Sequence, residues 1–350
     1  MKTYKNLFEK ICELDNIKLA IFNAAKGKKH KRIVQYALKN VDKITLDIHQ
    51  QLVSGTWEPP KYHRAHFIND GIENKKRPII CPEFIKEQVV HHAIMQIVYP
   101  IFNRKFYEFS CGSIKRRGVQ TAIKHLEKHI KRQRFYCKLD IEKFYQTIKP
   151  SFVFRELRRA IADRRVLLLF SKILRSNIIK ISNVSFRHGL PIGLYTSPFF
   201  ANVLLNRLDH TIKNKFGINV YVRYMDDICI LDTNNRKIKQ ANSYIQAFLK
   251  VRKLNLKQRP QIHRIRKFSF CGFKLPKTQT TLKVKLYLKC SRNFRRFINK
   301  SKTTIYDCQR LLSYTGYVKH STSGKLLSKF QRFIRQSRWR ISKLARAHNR

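Results

Sequence analysis

Two aspartates stand side by side inside an apolar stretch, YVRYMDDICIL at 221–231. The chain holds 75 Lys and Arg against 21 Asp and Glu, so adjacent acids between strand-forming residues require a reason. Val220, Val222, Tyr224 and Met225 precede them, and Ile228, Ile230 and Leu231 follow. A strand–Asp–Asp–strand order reads as a tight hairpin with Asp tolerated in the turn. Two carboxylates at a hairpin tip repel each other, and a divalent cation removes that cost. Oxygen-only ligands of this kind suit Mg²⁺, which keeps waters and takes one or two carboxylates plus substrate phosphates. A further acid, Asp140, ends a strand that starts at Phe135 in FYCKLDIEKFYQTI. If the two strand ends meet in adjacent antiparallel strands, Asp140, Asp226 and Asp227 would hold two metals about 3.5–4 Å apart, as in-line phosphoryl or nucleotidyl transfer requires. One metal would activate the attacking hydroxyl; the other would neutralise charge on the triphosphate and leaving group.

The elements that must position these acids are legible as periodicity. Residues 4–25 carry Leu7, Phe8, Ile11, Leu14 and Ile17 at helical spacing, and AKGKKHKR breaks the pattern. A second helical segment runs through IVQYALKNVDKITLDIHQQLVSG, with Gly55 as its stop. TWEPPKYHRAHFI turns into an alternating strand, NDGIENKK is a turn, and RPIICP is the second strand. EFIKEQVVHHAIMQIVYPIFNRKF is a long helical stretch in which His91 and His92 read as ordinary helix histidines. SCGSIKRRGVQTAIKHLEKHI is a basic loop opening another helix, and residues 151–180 look helical. A glycine–proline loop, HGLPIGLYTSP, feeds an amphipathic helix ahead of the aspartate hairpin. Beyond it, IKQANSYIQAFLKVRKLNLK reads as a helix and FSFCGFKL as a strand.

Composition bounds the partners. The formal net charge is +54, hydrophobic residues make up 43 %, and the sequence pI is near 10.5. A charge that large self-repels unless a polyanion neutralises it. The basic residues are spread along the chain, which fits a long nucleic acid better than one anchoring patch. After Asp232 the remaining acid is Asp307. The C-terminal KFQRFIRQSRWRISKLARAHNR has helical apolar spacing at Phe330, Phe333, Ile334, Ile341 and Leu344, and reads as a helix laid along a phosphate backbone. The eight cysteines form no C-x-x-C pair, which argues against zinc and for reduced, mostly buried thiols. The first residues are too charged for a signal peptide, and no apolar run of about 18 residues exists to span a membrane.

With these residues in hand, the chain resembles the reverse transcriptases. YMDD at 224–227 is similar to their palm hairpin, and LDIEKFYQTI from Leu139 to the strand with their first metal aspartate. NKKRPIICP resembles the fingers hairpin, LKQRP at 256–260 the segment with a lysine near the leaving group, and FSFCGFKL the primer grip. The motifs occur in the family's order over roughly residues 60 to 290. A narrower resemblance is to the enzymes of diversity-generating retroelements, on GLPIGLYTSPFFANVLLNRLDH, SCGSIKRRGVQTA, EQVVHHAI, LLSYTGYVKHS and LFEKICELDNIKLAIFNAAKGKK. Ile192 stands where most reverse transcriptases have glutamine, while Ser197-Pro198 is commoner in intron-type enzymes.

The resemblance implies an α+β right-hand polymerase: an N-terminal helical extension (1–59), fingers and an antiparallel-sheet palm (60–285), and a basic helical thumb (286–350). It implies RNA-directed DNA synthesis with two Mg²⁺ ions held by Asp140, the Ile141 backbone, Asp226 and Asp227, and with Lys257 near the leaving group. Lys75 and Arg77 would meet the incoming triphosphate. Tyr145 would crowd a ribose 2′-hydroxyl, the alternative being a core aromatic. Ile192 and Gly193 would line the nascent base pair, and Cys271, Gly272 and Phe273 would form the primer grip. An apolar Ile192 cannot make the hydrogen bond that a glutamine makes, and the subgroup links this position to errors at template adenines, the alternative being a side chain that only packs. The implied partners are a structured template RNA, the RNA/cDNA duplex, deoxynucleotides and a small basic ring-forming accessory protein, in a bacterial or phage-encoded cytoplasmic setting with no membrane. No RNase H or endonuclease segment is visible after the thumb. A defence or retron-type reverse transcriptase, an intron-type maturase and an RNA-binding scaffold with an inactive polymerase fold are the alternatives.

Overall fold

The computed structural model describes residues 3–70, 75–181, 184–187, 189–300, 304–319, 328, 331 and 334–342. The N-terminal periodicity folds as two helices rather than one, α1 (Phe8–Cys12) and α2 (Leu14–Ala25), because Glu13 leaves the helical region at φ −51°, ψ 132°. The break puts Phe8, Ile11 and Ile17 in the core and turns Leu14 outward, 40 % exposed. The Asn16 side-chain amide closes the joint by donating to the Ile11 carbonyl. The next segment also divides, into α3 (Arg32–Lys39) and α4 (Val41–Val53), where Asn40 turns back onto the Tyr36 carbonyl. Gly55, at φ +74°, follows α4 as its stop.

β1 (His63–Asp70) and β2 (Lys75–Ile80) form the expected antiparallel pair, whose connecting residues 71–74 lie outside the described ones. A π-helical turn, Phe84–Val89, leads into α5 (Val90–Lys105), and α6 (Val119–Ile130) follows the basic loop. β3 (Phe135–Asp140) runs to the short α7 (Phe144–Thr147). The reading of 151–180 as helical holds for α8 (Pro150–Arg158) and α9 (Arg164–Arg175) but not beyond. Ile178–Ile181 is instead a strand, β4, paired to β5 (Val184–Arg187) and lying parallel to β1. Its β-branched run fits a pleated surface better than a helix.

The central sheet has order β6-β7-β3-β8, with β6 (Val220–Tyr224), β7 (Asp227–Asp232) and β8 (Ile262–Arg264) all antiparallel to their neighbours. Both faces are covered. Leu139, Tyr221, Ile228 and Ile230 pack into the larger core with α10 (Ser197–Asn214) and α11 (Asn235–Val251). Val220, Val222, Cys229 and Leu231 pack into a second core with α6. This two-sided burial explains the near-continuous apolar strands around the aspartates.

FSFCGFKL is a hairpin, not a single strand: β9 (Lys267–Phe270) and β10 (Phe273–Pro276) turn at Cys271 and Gly272, both at positive φ. Turning there sets Phe270 directly opposite Phe273, so the apolar spacing that skips a beat still faces one core. β11 (Thr281–Leu282), α12 (Val284–Ile298) and α13 (Ile305–Lys319) complete that second core. Further on, 334–342 is helical with Ile334 buried, while Phe330, Phe333 and Leu344 lie outside the described residues. Among the described residues no helix is long and apolar enough to cross a membrane. All eight cysteines are free, and Cys81 alone is exposed.

Of the two helix histidines, His91 is fully enclosed. Burial pushes its imidazole down to about 3, and the nearby His63 and His92 act in the same direction. The unfolded imidazole titrates near 6.5, so below that pH the unfolded chain takes a proton that the folded chain refuses. Stability from this site is therefore complete above the unfolded value and is lost progressively as pH falls toward 3. Urea unfolding at pH 7, 6 and 5 should show this decline, and His91→Gln should reduce its slope around pH 5 by nearly one proton, or about 1.4 kcal/mol per pH unit. An unaltered slope in the variant would remove His91 as the cause.

Candidate active site

The register of β3 against β7 sets Asp140 directly opposite Asp227. Residues facing each other across an antiparallel pair project to the same side with Cβ atoms about 4.5–5.5 Å apart. The expectation that the two strand-end acids meet is therefore what the sheet produces. The hairpin differs from the expected Asp–Asp turn by one residue. Tyr224 pairs with Asp227, so Met225 and Asp226 make the turn and Asp227 already belongs to β7. Met225 has φ +55°, a conformation in which an L side chain meets its own backbone. Two-residue turns with positive φ at the first position usually place glycine there.

A charged pair buried beneath the hairpin holds this turn. Arg223 and Asp209 are both fully buried and form a bidentate pair, Nε to Oδ1 at 2.8 Å and Nη2 to Oδ2 at 2.7 Å. The remaining guanidinium N–H groups donate to the Asn202 side-chain oxygen (3.1 Å), the Met225 carbonyl (3.0 Å) and Ser110 Oγ (2.9 Å). All five donors of the arginine are thereby used. The carboxylate is equally well served, accepting the Tyr221 hydroxyl at 2.7 Å and the Ser110 hydroxyl at 2.6 Å. Burial works against the arginine's charge, but Asp209 outweighs it and the pKa of Arg223 is raised. Ser110 belongs to a segment that lies along β6, where the Cys111 N–H donates to the Arg223 carbonyl at 2.7 Å. Gly112 permits that approach, since a Cβ there would sit 2.5 Å from the Met225 side chain.

Around the acids, the Lys257 N–H donates to the Asp140 carbonyl at 2.8 Å, and its ammonium lies 3.4 Å from the Asp140 carboxylate. Both side chains are roughly half exposed. The Ile141 N–H points to the Asp226 carbonyl at 3.4 Å. Tyr145 is mostly buried, and its hydroxyl is pushed up first by burial and then by the Asp226 charge. The Leu190 N–H donates to the Tyr145 carbonyl at 2.7 Å, joining the glycine–proline loop to this side of the site. In the same loop, the Ile192 carbonyl accepts the Ile80 N–H at 2.8 Å. Gly193 has φ +121°, and a Cβ on it would lie 2.5 Å from the Ile80 carbonyl. Arg77 is exposed on β2, opposite Ile68, and the side chain of Lys75 lies outside the described residues. Cys271 is pushed up first by burial and then by the Asp227 charge. Phe273 behind it is buried and stacks on Tyr317 of α13.

Among the described residues no three His, Cys, Asp or Glu side chains converge on one point. The donor set is nonetheless of the right kind for a hard cation: Asp140 and Asp227 face each other at a solvent-open strand end, and Asp226 follows the turn. Such an ion takes one or two carboxylates and completes its shell with water and phosphate oxygens.

A model of the reverse transcriptase (RNA-dependent DNA polymerase) family matches residues 66–275. The match covers more than half of the chain, and the chain belongs to that family, which implies the right-hand polymerase fold and, in general, divalent metal ions. Protein YkfC of Escherichia coli (strain K12) is 24 % identical over 177 residues, covering 48 % of this chain and 45 % of that protein. The group II intron-encoded protein LtrA of Lactococcus lactis subsp. cremoris is 25 % identical over 163 residues, 46 % of this chain and 26 % of that protein. The Retron Ec73 reverse transcriptase of Escherichia coli is 29 % identical over 186 residues, 51 % and 54 %. The chain thus spans about half or less of the length of the curated relatives it matches.

Sequence reasoning missed Arg223, Asp209, Asn202 and Ser110. The available signal was a charge inside an apolar run, since Arg223 in VYVRYM and Asp209 in NVLLNRLDH each demand a partner when buried. Removing one member of a buried pair leaves an uncompensated charge and costs about 3–5 kcal/mol. Asp209→Asn should lower the unfolding free energy by that order, read from urea denaturation. The apolar double variant Arg223→Met with Asp209→Leu should recover much of the loss. Equal stability of Asp209→Asn and the parent would show that the pair does not support the hairpin.

Proposed function

We propose that the chain is an RNA-directed DNA polymerase that copies a structured RNA into cDNA by two-metal nucleotidyl transfer. The observation that carries this is Asp140 opposite Asp227, with Asp226 in the adjoining turn, in a chain of the reverse transcriptase family. In this reading the three carboxylates and the Ile141 carbonyl hold two Mg²⁺ ions, which supply charge neutralisation at the triphosphate and activate the primer hydroxyl. Lys257, already against Asp140, serves the leaving group. Arg77 and Lys75 receive the triphosphate. Tyr145 crowds a ribose 2′-hydroxyl and so favours deoxynucleotides. Ile192 and Gly193 border the nascent pair, and Cys271, Gly272 and Phe273 grip the primer. The regions 1–59, 60–285 and 286–350 act as helical extension, fingers with palm, and thumb. The net charge of +54 serves the template RNA and the RNA/cDNA duplex. A small basic accessory protein and a cytoplasmic setting complete the assignment.

Ile192 favours error-prone copying at template adenines, as in diversity-generating retroelements. The second reading, a retron or defence-type enzyme making cDNA in antiviral immunity, is favoured by the 29 % identity to the Retron Ec73 reverse transcriptase.

Primer extension with Mg²⁺ tests the chemistry: Asp140→Asn or Asp226→Asn should abolish synthesis while RNA binding persists, and near-normal synthesis by either variant would sink the assignment. Deep sequencing of cDNA from one defined template separates the two readings. Ile192→Gln should lower errors at template adenines by roughly five- to more than hundredfold, the equivalent of a hydrogen bond worth about 1–3 kcal/mol. A parent enzyme that is already accurate at adenines would favour the retron-type reading.

A further inference from the structure

His92 and Tyr195 stack face to face, with ring centroids 3.9 Å apart and planes 10° apart. The pair is not core. Tyr195 is 43 % exposed, although Leu194 and Thr196 on either side of it are buried. Its backbone is fixed from below: Thr196 Oγ1 meets His91 Nδ1 at 3.4 Å, and Ser197 Oγ donates to the Pro191 carbonyl at 2.6 Å. A rigid loop thus presents an aromatic ring outward, with one face covered by His92.

Lysines from separate parts of the chain contribute charge at the pair. Burial pushes His92 down to about 4, and the next contributions come from the charges of Lys28, Lys115 and Lys26, so all three lie near the ring. The imidazole is therefore neutral and flat at physiological pH. Lys28 is held by the Gln88 side chain and Lys26 by Asn23. The Lys115 N–H donates to the Tyr99 hydroxyl at 2.7 Å, and its ammonium lies 5.4 Å from the Tyr99 ring centroid. Among the described residues no ion pair joins these three lysines to a carboxylate.

We propose that Tyr195 and His92 form a stacking platform for an unpaired base of the template strand, with Lys26, Lys28 and Lys115 receiving the neighbouring phosphates. This rests on the polymerase reading above. Three features select that ligand. An exposed aromatic ring with lysine charge nearby matches a single strand, which offers base faces and phosphates together. A duplex hides its base faces, and a free nucleotide carries its phosphates at one end only. The platform also adjoins the site through the chain itself, because Tyr195 lies two residues beyond Gly193 in the loop that docks on Ile80.

The test is equilibrium binding of the full chain, without nucleotides, to labelled RNA-template duplexes that are blunt or carry an unpaired 5′ template overhang. Tyr195→Ala should weaken binding of the overhang substrate by about 5- to 150-fold, the range of one base–aromatic stack, and leave blunt-duplex binding unchanged. Tyr195→Phe should bind as the parent does. Tyr195→Leu, which keeps the packing on His92 but has no aromatic face, should bind as Tyr195→Ala does, and it replaces that variant if the alanine chain does not fold. An abasic residue scanned through the overhang should weaken the parent at one position and leave Tyr195→Ala indifferent there. Changing the three lysines to glutamine should flatten the log–log salt dependence by roughly 0.7 for each phosphate no longer neutralised. Parent-like overhang binding by both Tyr195→Ala and Tyr195→Leu overturns the platform, as does an equal loss on blunt and overhang duplexes. Primer extension by the parent on the same substrates is scored separately: absence of extension with an intact overhang-specific effect would overturn the polymerase reading and keep the platform.

Discussion

The buried Arg223–Asp209 pair is the interaction on which the candidate site depends. Taking two charges out of water carries a desolvation penalty that their attraction repays only with good geometry and full hydrogen bonding. Here both conditions are met, because every arginine N–H is used and each carboxylate oxygen accepts two bonds. The partners come from α10, from β6, from the segment beside it and from the turn itself. A backbone held in a disfavoured region costs about 1–3 kcal/mol and persists only where its surroundings over-determine it. Met225 is such a residue, and the arginine bond to its carbonyl is one of those determinants. An apolar replacement of the pair could match its stability. It could not supply the donor that fixes the turn between Tyr224 and Asp227.

The use of acids elsewhere makes the three aspartates stand out. Asp163 caps α9 and also accepts the Leu7 and Phe8 N–H groups. Glu156 pairs with Arg252 and Arg159, and Asp232 accepts from Asn219 and Asn234. These carboxylates bind the chain to itself. Asp140 instead is 41 % exposed at a strand end, and its salt bridge is to a lysine that is itself half in solvent. A chain of net charge +54 gains nothing in solubility by gathering acids at one strand end, which fits the metal-holding role proposed for them.

How much of this was legible follows from the range of each interaction. Strand-end acids and hairpin strands are short-range patterns, and the pairing of Asp140 with the YMDD hairpin could be anticipated from two apolar strands of similar make. The register could not. Whether Met225 or Asp227 shares the turn is decided by Arg223 reaching the Met225 carbonyl and by Gly112 admitting the Met225 side chain. Asp209 and Ser110 lie 14 and 113 residues from Arg223 in sequence. No periodicity encodes such a contact; only the cost of an unpaired buried charge hints at it. The breaks at Glu13 and Asn40 were invisible because apolar spacing continued across them. In FSFCGFKL the clue was present, since buried Phe270 and Phe273 violate a two-residue period unless the chain turns between them.

The glycine–proline loop shows how such contacts join the site to its surroundings. Gly193 touches the Ile80 carbonyl through bare backbone, and the Ile80 N–H returns a bond to Ile192. Ile80 lies three residues beyond Arg77 on β2, and Tyr195 two beyond Gly193. A backbone contact without an intervening Cβ has little room to slide, because close-packed interiors transmit displacement rather than absorb it. A movement of β2 therefore carries Ile192 and Tyr195 with it. The same loop is bonded at Leu190 to the carbonyl of Tyr145. The strand of the exposed arginine, the loop and Tyr145 are thus joined by main-chain bonds. A loop rich in glycine and proline, which has no periodic pattern to read, thus joins β2 to the segment that follows Asp140.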